Sequence, residues 1–281
     1  MSYKTLMVHL DSSKRANTRV SLALKLARSF GSHLYGVFAA FEPHPREFYV
    51  MAGTADYYDA HRKLRAEQRG AIERLFRAEL ARAQIVGTLV DADTDTDPVA
   101  LLMRHSRSAD LTIIGQADPD DPETFVADHF AETVVLGAGG PVLLVPNTGN
   151  FETVGTRVLI GWNGSREAAR AVHDAIPFIV SAAHVTIAAS STTFAPAPSQ
   201  TSCSELAAML ARHGATSVDI ARFDRRAAET TGDALLNYAI DGGFDLLVMG
   251  AYGHARLQEL VLGGATRSIL LTATLPVLMS H

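Results

Sequence analysis

The chain has 281 residues, 47% of them hydrophobic and 20% charged, with a formal net charge of −5. That balance excludes intrinsic disorder, leaves length for two domains, and offers none of the basic excess of a nucleic-acid binder. A single cysteine, Cys203, rules out an intramolecular disulfide and points to the reducing cytoplasm; no apolar run reaches the ~20 residues of a membrane span.

The N-terminus, MSYKTLMVHLDSS, lacks the apolar core of a signal peptide. Short apolar runs alternate with amphipathic stretches from there onward. In the first half the runs predict strands at Thr5–Leu10, His33–Ala39, Ile85–Asp91, Leu111–Ile114 and Val142–Val145. The stretches between them predict helices at Asn17–Ser29, Tyr58–Arg82, Pro98–Ser106 and Glu123–Leu136. Acids and bases alternate along Tyr58–Arg82, so it reads as a solvated helix. Residues 146–156, PNTGNFETVGT, are polar and aperiodic and read as a linker. In the second half the strands fall at Arg157–Trp162, His184–Ala189, Ser217–Arg222, Leu246–Met249 and Val277–Met279. Helices are predicted at Arg166–Val180, Ser204–His213, Thr230–Asp241 and Leu257–Leu271, with Pro177 kinking or shortening the first. Helix-capping groups are offered by Asp11-Ser12-Ser13, Asp97-Pro98, Asn163-Gly164-Ser165 and Thr231-Gly232-Asp233.

The halves are copies of one unit. Asp110-Leu-Thr-Ile-Ile-Gly115 matches Asp245-Leu-Leu-Val-Met-Gly250 at an offset of 135, and Pro141–Val145 matches Pro276–Ser280 at the same offset. Near the start of each half, Asp11-Ser12-Ser13 matches Asn163-Gly164-Ser165 at an offset of 152. The first half therefore carries 17 extra residues in its middle. Five strand–helix units per half imply two doubly wound domains, 1–146 and 156–281. Each is expected to be a five-stranded parallel sheet of the flavodoxin-like kind with helices on both faces. Ligand would sit at the carboxyl ends of the strands where the strand order reverses.

The stretch with the most chemistry is Asp245–Thr266. A buried strand ends in Met249-Gly250, a turn runs to Gly253, and Gly263-Gly264 precede Ala265 and Thr266. Glycines there allow close approach of the backbone, and a following helix N-terminus favours an anion. The pattern fits a phosphate loop; it fits an ordinary strand-to-helix turn equally well. Gly250-x-x-Gly253, a nine-residue gap and Gly263 resemble the nucleotide loop of the universal stress protein family, and Leu275–Met279 resembles its last strand. The resemblance covers the whole chain, twice.

It implies an adenine nucleotide alpha hydrolase-like fold that binds ATP, with or without magnesium, in a regulatory stress response. It also implies halves paired through their last strands as an internal pseudo-dimer, with a further homodimer possible. The family has Ser or Thr where this chain has Gly264, so Thr266 is the candidate replacement hydroxyl. The family often has Asp where this chain has Asn163, which with Ser190 is placed to line the adenosine pocket. His254, Arg256 and Arg267 lie near the glycines and offer positive charge. In the first half Gly253, Gly263 and Gly264 become Asp118, Asp128 and His129, in a loop dense with acids. A polyphosphate would be repelled there; the rival reading is a divalent cation on those carboxylates.

Walker A, Gly-x-Gly-x-x-Gly and Gly-x-Ser-x-Gly patterns are absent. His9 and His33 read as structural, His173 and His213 as helix-surface residues, and Cys203 as inert. Glu259 is the one carboxylate in the second glycine loop, too little for a phosphotransfer site. A nucleotide-binding regulator with little or no hydrolysis is therefore the first reading. A weak ATPase or phosphotransferase and a nucleotide-free scaffold are the alternatives.

Overall fold

A computed structural model describes residues 2–39, 55–90, 97–118, 120, 129–190, 200–225, 229–252 and 264–281. The first half runs β1 (Thr5–Leu10), α1 (Ala16–Phe30), β2 (His33–Phe38), α2 (Ala55–Ala83), β3 (Gly87–Val90), α3 (Pro98–Ser106), β4 (Leu111–Gly115), α4 (Phe130–Gly137) and β5 (Val142–Val145). The second runs β6 (Arg157–Gly161), α5 (Arg166–Asp174), α6 (Ile176–Ile179), β7 (His184–Ser190), α7 (Gln200–Arg212), β8 (Val218–Phe223), α8 (Thr231–Asp241), β9 (Leu246–Gly250), α9 (Gly264–Thr272) and β10 (Val277–Ser280).

Local chemistry explains where the boundaries differ from the sequence reading. The third strand starts at Gly87 rather than Ile85. Gln84 takes a left-handed φ of 54°, and the Ile85 N–H bonds back to the Leu80 carbonyl, so residues 84–85 close α2. Arg166–Val180 is two helices that part at Ala175, with Pro177 in the first turn of α6, where its missing N–H costs nothing. The predicted starts of the helices at Glu123 and Leu257 lie outside the described residues. Asp97 caps α3 through the Val99 and Ala100 N–H groups, and Ser165 caps α5 through Ala168. The capping box of α8 begins one residue earlier than expected, with Thr230 and Asp233 exchanging hydrogen bonds. Asp11 does not cap α1, whose first residue follows Arg15 with no side-chain bond.

The ten strands among the described residues form one sheet, in the order β3-β2-β1-β4-β5-β10-β9-β6-β7-β8. Each half is parallel throughout. The two meet where β5 and β10 run antiparallel, Val277 opposite Leu144 and Met279 opposite Val142. The fusion leaves Val142–Val145 and Val277–Ser280 buried along their whole length, so neither apolar strand is an exposed edge. Side chains alternate across the sheet. Leu6, Val8 and Leu10 join α1 and α2 in one core, and Met7 joins α3 and α4 in the other. Both cores continue into the second half, one beneath α5–α7 and the other beneath α8 and α9.

Other contacts lock the halves together. Tyr3, Phe30 and Phe178 form a triangle of edge-on rings with centroids 5.0–5.6 Å apart. Arg15 and Lys25 of the first half donate to the linker carbonyls of Gly149 and Phe151. Among the described residues no helix is long and apolar enough to cross a membrane.

Candidate functional site

In each half the strand order reverses between the first and fourth strands, at β1/β4 and at β6/β9. A crevice opens at the carboxyl ends of such a pair, because the crossovers on either side leave in opposite directions. The carboxyl ends of the two halves lie at opposite ends of the strands of the joined sheet, since β5 and β10 are antiparallel.

The second crevice gathers most of the residues singled out in the sequence. Asn163 follows β6 and is exposed; its Oδ1 accepts from the Ser165 N–H at 3.0 Å. Ser190 is the last residue of β7 and is half-buried. Met249 and Gly250 end β9, Met249 being buried. Gly264 and Ala265 begin α9, and a Cβ at Gly264 would meet nothing within 4 Å among the described residues. Thr266 is buried in the first turn, its hydroxyl accepting from the Tyr252 N–H at 3.3 Å, so it ties the end of β9 to α9. Arg267 is exposed on α9. Gly253, Gly263, His254, Arg256 and Glu259 lie outside the described residues.

Gly250 has a different reason from the one its spacing suggested. A Cβ there would lie 2.4 Å from the Ala168 nitrogen and 2.5 Å from the Glu167 carbonyl carbon. The missing side chain admits the first turn of α5, so packing alone demands a glycine there. Tyr252, with φ 60°, holds a buried hydroxyl that has no hydrogen-bond partner among the described residues. Burial, and then the charge of Glu132 in α4, push that hydroxyl's pKa well up. A buried donor without a partner costs about 1–3 kcal/mol.

The first crevice is built otherwise. Asp11 is buried and accepts from the N–H and hydroxyl of Ser13, at 3.1 and 2.6 Å. Arg19, only 2% exposed, lies 2.7 Å from Asp11 Oδ1 and donates from Nε to the His9 carbonyl at 2.7 Å. Burial alone would raise the Asp11 carboxyl; the charge of Arg19, His9 and the hydrogen bonds outweigh it and hold Asp11 far below the usual carboxylate range. His9 is pushed down to about 4, chiefly by burial, and stays neutral while Nε2 donates to the Ala39 carbonyl at 2.8 Å. The glycine counterparts on this side are Asp118, whose Oδ1 accepts from Asp120 N–H, and His129, left-handed at φ 64° and 2.5 Å from Glu132. Asp128 lies outside the described residues.

Arg19 was missed in the sequence reading. The signal was available: an arginine on the apolar face of α1, where the repeat has Ala171. Asp233 was read only as a cap. It also accepts from Ser268 of α9, which brings a carboxylate to the second mouth, already engaged on both oxygens by Ser268 and Thr230. Cys203 is buried with its thiol pushed up by burial, the setting of an unreactive cysteine. His33 bonds Thr88 across the strands, and His173 and His213 are exposed.

The sequence pattern described as "Universal stress protein family" matches residues 2–146 and again 156–281. A 46-residue segment is 44% identical to Universal stress protein Slr1230 of Synechocystis and spans 16% of each chain. The crystal structure of a universal stress protein from Archaeoglobus fulgidus superposes with a TM-score of 0.71, at 16% identity, covering 98% of this chain and 95% of that one. A universal stress protein structure from Pseudomonas aeruginosa superposes at 0.58, with 16% identity, over 99% and 93%. Two copies of one doubly wound unit, joined edge to edge in a single sheet, belong to the universal stress protein family, and this chain is a tandem member of it.

Proposed function

We propose that the second half binds an adenine nucleotide, ATP foremost, at the crevice between β6 and β9, and that the protein is a cytoplasmic regulator rather than an efficient enzyme. The observation that carries this reading is the difference between the two mouths. In the second, an exposed Asn163, Ser190 and the open start of α9 at Gly264 surround the reversal point. In the first, the same positions hold a buried ion pair and an acidic loop. Asn163 offers donor and acceptor to ribose or base. The N–H groups of the first turn of α9 have no partners within the helix and suit phosphate.

Magnesium would arrive with the phosphates. Among the described residues no group of three His, Cys, Asp or Glu is placed to hold a metal. Asp233, the carboxylate that the fold brings to α9, is occupied as a cap. That occupation favours binding over phosphoryl transfer, which needs a positioned base.

Calorimetric and thermal-shift titrations with ATP, ADP and AMP, with and without magnesium, test the reading. One equivalent should bind with an affinity that rises with phosphate number. Gly253→Asp, which copies the first half, should abolish the polyphosphate increment. Unchanged ATP affinity in that variant removes the phosphate-loop assignment.

A further inference from the structure

We propose that Arg19 decides which half accepts a nucleoside: its guanidinium fills the strand-order crevice of the first half as an internal ligand, leaving only the second open. The proposal rests on the reading of the second half as the adenine nucleotide site. The guanidinium lies at the reversal point itself. It hydrogen-bonds the carbonyl of His9 near the carboxyl end of β1 and pairs with Asp11 just beyond. It also covers the end of β4, since a Cβ on Gly115 would fall 2.1 Å from Arg19 Nη1. Gly115 is thus a glycine on account of Arg19.

The repeat supplies the control. At the same offset Asp11 becomes Asn163 and Arg19 becomes Ala171. With only a methyl group at Ala171, the backbone of α5 settles directly on Gly250, and Asn163 stands exposed where Asp11 is buried. Asp11 is the acid that the family resemblance would offer to a nucleoside. Here it is already satisfied on the inside by a guanidinium and by the N–H and hydroxyl of Ser13. A ligand would have to break a buried ion pair to use it, and stripping one partner from such a pair is strongly unfavourable.

The test is the number of adenosine equivalents bound by the full chain, measured by calorimetry. Adenosine carries no phosphate, so the acidic loop does not enter. The wild type should bind one equivalent, and the double variant Asp11→Asn with Arg19→Ala, which installs the pair found in the second half, should bind two. No added equivalent in a double variant that melts cooperatively overturns the proposal. Two equivalents in the wild type overturn it as well. None in the wild type and one in the variant would uphold the role of Arg19 while removing the reading of the second half; none in either removes both. Should the double variant fail to fold, the Arg19 Nε–H resonance of the wild type decides. It should exchange slowly with solvent and stay unmoved at saturating adenosine; loss or displacement of that signal overturns the proposal.

Discussion

Gly250→Ala separates two explanations of a glycine at the end of β9. If the glycine serves a ligand, the added methyl should leave the empty protein as stable as before and weaken only nucleotide binding. The structure says otherwise. The new Cβ would sit 2.4 Å from the Ala168 nitrogen, 2.5 Å from the Glu167 carbonyl carbon and 2.9 Å from the Ala168 Cα. All three are backbone atoms, so no rotamer change relieves the contact. The first turn of α5 must lift, and Ala168 N–H is the group that Ser165 caps. Overpacking of this kind costs about 1–3 kcal/mol, and a weakened cap adds about 1. The expected loss is therefore about 2–4 kcal/mol, or roughly 3–7 °C in Tm for a protein of this size. Ligand-free thermal and urea unfolding measure it. Gly264→Ala is the companion, because its Cβ meets nothing within 4 Å among the described residues. It should change stability by no more than about 0.5 kcal/mol. A Gly250→Ala protein as stable as the wild type would refute the packing argument.

Three further outcomes are expected. His9 has a folded-state pKa lowered from 6.5 to about 4, so the folded chain takes up its proton later than the unfolded chain. Its contribution is fully present above pH 6.5 and is lost as pH falls towards 4, about 2 kcal/mol between pH 7 and 5. His9→Gln should flatten that slope in urea titrations across the range, and an unchanged slope would assign the loss elsewhere. Phe178→Ala removes one ring of the Tyr3–Phe30–Phe178 triangle and should cost about 3–5 kcal/mol. Since the triangle spans both halves, the two should then melt in separate steps by calorimetry; a single unshifted transition would deny it a joining role. Gly253→Asp, set out above, should remove the gain in affinity from AMP to ATP without altering adenosine binding.

Much of this protein was legible in its linear order. Strand and helix positions follow from apolar periodicity, because burial of one face is a local pattern with a local period. The duplication follows from the gapless match of Asp110–Gly115 to Asp245–Gly250, and the linker from the loss of period at 146–156. The glycine loop and Asn163 were visible as residue types at spacings. Only the tertiary structure decided what packs against some of those residues. Gly250 reads alike whatever lies over it, and the structure packs against it a helix about 80 positions earlier in the chain. Arg19 and Asp11 lie eight apart in sequence, but their meaning comes from Gly115, brought beside them by a crossover. The sequence sets which side chains are available. Whether a charge or a cleft faces solvent or another part of the chain depends on contacts between distant segments, and one local window cannot carry that information.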